Sequence, residues 1–370
     1  MNFYSLFKGI FNNKTVFVTG HTGFQGTWLS LWLKKMGANV IGYSIDIPTK
    51  PSFFEIINLK DDMTNIFGDI KDYDHLKSSI NEFKPDIIFH LAARSLVRFS
   101  YLHPLETFQT NIIGTANILE CLRDNLSTKV CVIATSDKCY ENREWDFAYR
   151  ENDRIGGYDP YSASKGAAEI ITTSYRNSFF NFKKNNTAGL GISTVRAGNV
   201  IGGGDWAQDR IIPDCIRAIS SHETIKLRNP DSIRPWQYVL EPLSGMLLLA
   251  MKMWYESSSY EGPWNFGPRN YEESLSVKSL VNQVMSLWGN GSVDISNNEE
   301  PHEAHLLRLD STKANTKLDW RPTYSLKDSI VDTVDWYKNY YEQNENTMNF
   351  SLNQLEKYII KAKNLNMIWS

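Results

Sequence analysis

Through roughly its first half the chain alternates short, unbroken apolar runs with longer amphipathic stretches, the pattern of buried strands separated by helices. The run KTVFVTG, beginning at Lys14, is rich in β-branched residues and stops on glycine, so it predicts a parallel strand buried on both faces. After HTGFQG, the stretch TWLSLWLKKMG sets Trp28, Leu29, Leu31, Trp32 and Leu33 on a helix that ends at Gly37. Asn39 to Asp46 predicts a second strand, Asp74 to Phe83 a helix, and Pro85 to Ala93 a further apolar strand. A helix through about Pro104 to Asn125, a strand over Lys129 to Ser136, a helix over Tyr161 to Phe179 and a strand over Gly191 to Val200 continue the alternation. Such alternation argues for right-handed βαβ units.

The fold class that follows is α/β, a Rossmann-type doubly wound parallel sheet with a smaller, irregular C-terminal substrate-binding domain. Beyond Val200 the pattern loosens into turns and short helices, with apolar helical stretches near Pro242–Trp254 and Ser276–Trp288 and a polar loop over Asn297 to Glu303. The expected organisation is a dinucleotide-binding domain over 1–196, rejoined by about 237–266. A substrate-binding domain takes 197–236 and 267–345, and a helical tail takes 346–370.

Composition narrows the function classes. The chain has 370 residues, 42% hydrophobic and 22% charged, enough to build a core and too ordinary for a disordered or fibrous protein. A net charge of −3 offers no basic field for nucleic acid or an anionic membrane. No apolar stretch is long enough to span a bilayer, since the one around Met246 to Met251 meets Lys252. Cys121, Cys131, Cys139 and Cys215 form no C-x-x-C pair, which fits a reduced, cytoplasmic setting. His302 and His305 lack metal-site spacing, so no metal is expected. The 11 tryptophans point to core packing first and to a ring-stacking pocket second.

The first chemical signal is Gly20-His21-Thr22-Gly23-Phe24-Gln25-Gly26, a G-x-x-G-x-x-G loop set between a strand and a helix. The first glycine permits the turn, the second lets backbone approach a pyrophosphate, and the third lets helix and sheet pack closely. Asp46 closes the second strand some twenty residues on, where an acid accepts ribose hydroxyls and repels a 2′-phosphate. NAD is therefore the expected cofactor. Asp69, in FGDI after a third short strand signal, is placed either to meet the adenine or to hold a surface turn.

The second signal is Tyr161-Ser162-Ala163-Ser164-Lys165, which puts a phenol and an ammonium on one helical face. The ammonium, together with the positive charge of bound oxidised nicotinamide, is expected to draw the phenol's pKa towards neutrality, where Tyr161 can take a proton from a sugar hydroxyl. Such a pair also arises on ordinary amphipathic helices. Its position after the glycine loop and the Ser136 strand is what gives it weight.

Taken together, TGHTGFQG, HLAARS, TNIIGT, TSDKCY, YSASK, VRAGNVIGGGDW and RPWQYVLEP resemble the extended short-chain dehydrogenase/reductase family along nearly the whole chain. HTGFQGTWLSLWL, GYSIDIPTKPSFFE, AARSLVRFSY and TSDKCYEN narrow the resemblance to the nucleotide-sugar 4,6-dehydratases, and most closely to their CDP-glucose branch. The resemblance implies oxidation at sugar carbon 4 by tightly held NAD, loss of water across carbons 5 and 6, and return of the same hydride to carbon 6. The implied substrate is a nucleotide-diphosphate sugar, CDP-glucose. The implied product is a 4-keto-6-deoxy sugar of the kind used in O-antigen and other surface polysaccharides.

The resemblance also assigns residues. Tyr161 is the base at the carbon 4 hydroxyl, Lys165 tunes it and holds the nicotinamide ribose, Ser136 bonds the same hydroxyl, and Asp137 is the acid at carbon 6. Thr22, Phe24, Gln25, Ile70, Leu91, Ala92, Ala93 and Thr135 join the glycines, Asp46 and Asp69 around the dinucleotide. Asn199, Arg234 and Arg308 match positions that meet the diphosphate or nucleotide, and Asn265, Arg94 and Ser95 complete the substrate set. Asn265 has turn capping as its alternative, and Arg94 can equally brace a loop. Lys138 stands where most of these enzymes carry a glutamate base for carbon 5. A lysine beside a carboxylate tends to keep its proton, so Lys138 is either a desolvated base or an electrostatic group for the enolate.

Three other functions fit the fold, the first a 4,6-dehydratase of a GDP- or dTDP-linked sugar. A nucleotide-sugar 4-epimerase needs no acid after Ser136, and a dinucleotide sensor has no need of the Tyr161–Lys165 pair. The helices around Pro104–Asn125 and Tyr161–Phe179 pair in related enzymes, and their apolar residues (Ile112, Ile113, Ile118, Leu119, Leu122, Ile170, Ile171, Tyr175) predict a homodimer or homotetramer.

Overall fold

The computed structural model describes residues 1–125, 127–180, 189–268, 275–295, 306–343 and 346–370. Seven strands, β1 (Thr15–Thr19), β2 (Asn39–Ser44), β3 (Thr64–Phe67), β4 (Ile87–His90), β5 (Val130–Ala134), β6 (Gly191–Ala197) and β7 (Gly262–Phe266), form one sheet in the order β7-β6-β5-β4-β1-β2-β3. Every neighbouring pair in it is parallel. The main helices are α1 (Phe24–Lys35), α2 (Tyr73–Phe83), α3 (Gly114–Arg123), α4 (Pro160–Ser178), α5 (Ile211–Ser220), α6 (Leu240–Tyr260), α7 (Val277–Trp288), α8 (Leu326–Lys338) and α9 (Thr347–Asn364).

The strand order reverses between β1 and β4, which opens a crevice at the carboxyl ends of the strands, where doubly wound sheets bind ligands. β7 returns to the sheet beside β6 after the long excursion of the second half, with Asn265 level with Arg196. The polar loop expected over Asn297 to Glu303, with His302 and His305, lies outside the described residues.

Two apolar layers sandwich the sheet. α2, α3 and α4 cover one face, and α1, α6, α8 and α9 cover the other. α6 is apolar almost all round its first four turns because the sheet lies on one side and the C-terminal helices on the other. Trp28, Trp32, Trp264, Trp320, Trp336 and Trp369 are fully buried, so most of the tryptophan serves the core. Among the described residues, Trp206 and Trp236 are the tryptophans that line the crevice.

The segment 346–370 is no loose tail. Tyr358, Ile359 and Ala362 of α9 are buried, and the ring of Trp369 stacks on Phe7 with centroids 5.1 Å apart. The amide of Phe7 donates to the Trp369 carbonyl at 2.9 Å, so the two ends of the chain close over α1 together.

The helix expected through Pro104–Asn125 is continuous but not uniform, since residues Gln109–Ile113 form a π turn. That wider turn lets the Asn111 side chain reach the backbone of Arg94 on both its N–H (2.8 Å) and its carbonyl (2.9 Å), and the Ser164 hydroxyl at 2.8 Å. The loop after β4 is thereby pinned to α4. No described helix is long and apolar enough to cross a membrane.

Candidate active site

The crevice holds a cavity of about 930 Å³ running from the glycine loop to the second half of the chain. At one end Gly20 adopts a left-handed φ of +74°, and a side chain there would collide with the backbone of Ala92. A Cβ on Gly26 would stand 2.0 Å from the Gly20 carbonyl oxygen, so the loop folds back on itself only with glycine at both places. Gly23 caps α1 without any side-chain hydrogen bond, leaving the amides of the first turn to face the cavity.

The Thr22 hydroxyl donates to the Asp46 carbonyl at 2.7 Å and ties the loop to the end of β2, where the Asp46 carboxylate is exposed at the cavity wall. Ile70, Leu91, Ala92 and Ala93 line the same end. Asp69 lines it too, but its carboxylate accepts from the Lys71 amide at 2.9 Å and pairs with the Lys71 ammonium at 3.4 Å, so it also holds the turn. This set fits a dinucleotide: uncapped amides for the pyrophosphate, glycines where backbone must approach, and an acid after β2 that could accept ribose hydroxyls.

The reactive groups sit in the middle of the cavity. Ser136, directly after β5, donates to the Asp137 carboxylate at 3.0 Å, accepts from the Lys138 amide at 3.2 Å and is hydrogen-bonded with Tyr161. One hydroxyl therefore links the phenol to the carboxyl. Burial raises the Asp137 pKa, with Lys138, Ser136 and Arg234 opposing it, so the group is biased towards its protonated form, as an acid requires. Lys138 is half-buried at the cavity wall.

Lys165 is buried, its Nζ donates to the Ala134 carbonyl at 3.1 Å, and desolvation pushes it down to about 8. Burial by itself pushes the Tyr161 phenol up to about 12, against the pull of any positive charge beside it. Helical spacing puts Lys165 on the right face, but its ammonium turns to the strand carbonyl and is itself discouraged by the low dielectric.

At the other end, Arg234 and Asn199 line the cavity, Arg234 donating to the Ile233 carbonyl at 3.1 Å. Arg94 both lines the cavity and braces its loop, through Glu106 at 2.6 Å. Ser95 lines it and accepts from Arg210 at 3.0 Å. Arg210, also held by Asp205 at 2.8 Å, bridges the halves across the cavity, and the sequence reading passed over it along with Lys226 and Arg228 on the same wall. A cluster of cations after the D-W of VIGGGDW was the available signal.

The structure sets two expected substrate residues apart from this cavity. Asn265 is fully buried and its side chain accepts from the Tyr140 hydroxyl at 2.8 Å and donates to the Tyr149 and Asp310 carbonyls, a structural junction rather than a ligand contact. Arg308 lies along the bridge between Tyr149 and Leu309 and donates to the Asp146 carbonyl, away from the cavity lining. Thr135 lines the cavity, but its hydroxyl donates to Glu169 beneath it.

A family model described as GDP-mannose 4,6 dehydratase matches residues 17–333, which span the glycine loop, the Ser136 turn and α4. The chain belongs to the GDP-mannose 4,6 dehydratase family. Within that breadth, the chain is 51% identical to the CDP-glucose 4,6-dehydratase of Salmonella typhimurium over 90% of its own length and 92% of the relative's. A UDP-glucuronate 4-epimerase of Thermodesulfobacterium geofontis is 26% identical over 87% of this chain and 95% of that one. Among solved structures, the dTDP-glucose 4,6-dehydratase of Bacillus anthracis in complex with NAD has a TM-score of 0.74 at 20% identity, covering 91% of this chain and 99% of that one. The UDP-glucose 4-epimerase of Thermotoga maritima with UDP-glucose has the same score, over 89% and 100%. Dehydratases and epimerases thus share the fold, and the residues around Ser136 must separate them.

The close approach at Gly26 gives a direct test of the cradle. Gly26→Ala should weaken NAD binding at least about tenfold by calorimetric titration and destabilise the chain by about 1–3 kcal/mol through forced backbone shifts. Binding at the wild-type affinity would mean that the loop does not hold the dinucleotide.

Proposed function

We propose that the chain is an NAD-dependent CDP-glucose 4,6-dehydratase, a hydro-lyase that makes CDP-4-keto-6-deoxyglucose. The observation that carries the reading is the Ser136–Lys138 turn, which sets a buried, protonation-prone Asp137 in the same cavity as Tyr161 and Lys165. The 51% identity to a CDP-glucose 4,6-dehydratase supports the choice of CDP-glucose over other nucleotide sugars. A 4-epimerase has no elimination step for Asp137 to serve.

Bound NAD supplies a reversible hydride acceptor, so that carbon 4 is oxidised and carbon 6 reduced with no net redox change. Gly20, Gly23, Gly26 and Asp46 would hold it, with Lys165 near the nicotinamide ribose. With the positive charge of oxidised nicotinamide beside it to offset burial, Tyr161 would take the proton of the carbon 4 hydroxyl, and Ser136, hydrogen-bonded to the phenol, would orient that hydroxyl. Asp137, whose pKa burial raises, would give its proton to the departing carbon 6 hydroxyl. Lys138 stands one residue on, at the cavity wall, where it would meet carbon 5. Arg234, Asn199 and the bridging Arg210 would receive the diphosphate, for which guanidinium forks are suited.

An exposed apolar surface supports the reading of an assembly. Leu102 (77% exposed), Leu105 (67%), Ile113 (51%) and Ile170 (60%) leave an apolar surface on the helices before α3 and on α4, whereas Ile118, Leu119 and Leu122 are turned into the core. We read the exposed set as a homodimer face of a cytoplasmic enzyme of surface-sugar biosynthesis.

Incubated with CDP-, dTDP-, GDP- and UDP-glucose and no added reductant, the protein should generate the alkaline 4-ketosugar absorbance from CDP-glucose at least about tenfold faster in kcat/KM than from the others, a 1.4 kcal/mol preference. No ketosugar from any of them would overturn the reading. Lys138→Ala should lower turnover by about 10²–10⁴-fold if the Lys138 amine, in its neutral form, takes the carbon 5 proton. It should also abolish solvent deuterium entry at that carbon, whereas near-normal turnover and exchange would leave Lys138 as an ion-pair partner only. Light scattering should give at least a dimer, and Ile170→Glu should shift it to monomer; a wild-type monomer at micromolar concentration would refute the interface.

A further inference from the structure

Beneath the reactive groups lies a buried ion pair that the chemistry above does not use. Glu169 follows Lys165 by one helical turn and Tyr161 by two, so all three share one face of α4. The Arg196 guanidinium on β6 grips the Glu169 carboxylate at two points, Nε to Oε1 at 2.9 Å and Nη2 to Oε2 at 2.8 Å, with both side chains only 3% exposed. The remaining lone pairs accept from the hydroxyls of Thr135, at the end of β5, and Thr194, on β6 at 2.7 Å. The other arm of Arg196 donates to the Tyr140 hydroxyl at 2.7 Å and to the Glu151 carbonyl at 3.0 Å, and Tyr140 closes the turn that begins at Asp137. Gly166, next to Lys165, admits that turn against α4, because a Cβ there would press on the Gly156 and Cys139 carbonyls.

We propose that Glu169 is a positioning residue for the active site, locking the turn of α4 that carries Lys165 onto β5 and β6 and setting a fixed anion beside the Lys165 ammonium. The proposal rests on the dehydratase reading only for its activity readout. The charged and titratable groups around Lys165 are Tyr161 and Glu169 on α4, Cys139 in the turn after β5, His90 at the end of β4, and Arg196 behind Glu169. Desolvation lowers Lys165, and Glu169 is the first of the groups that raise it back. With the anion gone, the ammonium should lose its proton nearer neutrality, so a rate that needs the charged form falls at lower pH.

The test is to follow the Lys165 ammonium by NMR in lysine-labelled protein, with Lys165→Arg to identify the signal, alongside the pH dependence of kcat. In Glu169→Gln/Arg196→Gln, which removes both charges together, the Lys165 titration and the alkaline limb of kcat should move down together by about one pH unit, a tenfold change in protonation. KM for CDP-glucose should stay within about twofold, since Glu169 does not touch the substrate cavity. Glu169→Asp keeps the anion but breaks the two-point grip, so it should move both in the same direction by less, and it decides the matter if the double variant does not fold. A purely structural pair would lower thermal stability and leave the Lys165 titration where it is; that result in Glu169→Asp or in the double variant overturns the proposal. Should the titration move while wild-type protein yields no ketosugar, the positioning role stands and the dehydratase reading falls.

Discussion

The Arg196–Glu169 pair is where the sheet, the helix and the reactive turn are held in register. Two opposite charges taken out of water together are rarely a net gain in stability, and removing one partner alone typically costs about 3–5 kcal/mol. Their value lies in direction. A guanidinium fork bonded at two points admits a single geometry, and here it fixes α4 against β6 while two threonine hydroxyls satisfy the remaining lone pairs. Through Tyr140 the same guanidinium reaches the turn that holds Asp137 and Lys138. Asn265 accepts from Tyr140 in turn, so β7 is stitched to the same centre.

A second constraint acts from the far side of the cavity. The loop before α5 is gripped by aromatic residues of α8 and just beyond: Gly203 packs so closely on Trp336 that a Cβ would lie 2.0 Å from its ring, and Asp205 exchanges backbone hydrogen bonds with the Tyr337 hydroxyl. Asp205 then holds Arg210, which reaches across to Ser95. The C-terminal helices therefore matter to the substrate end of the cavity as much as to the core.

Much of this was legible in the sequence because it depends on local rules. A β-branched run ending on glycine, and two glycines that cannot carry a Cβ, follow from periodicity and backbone sterics, and the glycine loop, β1, α1 and α4 lie where those rules put them. Helical spacing likewise placed Tyr161 and Lys165 on one face. It did not give their protonation, because desolvation depends on what the fold packs around them, and burial raised the phenol instead of lowering it. Asn265 and Arg308 lie off the cavity lining for a related reason: in the irregular half no period says which way a side chain points, and Asn265 turns inward to three backbone and side-chain partners. Glu169 and Arg196 look like ordinary members of an amphipathic helix and a strand until the tertiary contact brings them together.

The claim at the centre of this account is that one cavity performs oxidation, elimination and reduction on the same sugar. CDP-glucose carrying deuterium at carbon 4 tests it most directly. Deuterium should appear at carbon 6 of the ketosugar product, in the molecule that supplied it, with no added reductant consumed. Deuterium recovered in free reduced cofactor, in amounts equal to the sugar oxidised, would contradict it and describe a simple dehydrogenase instead.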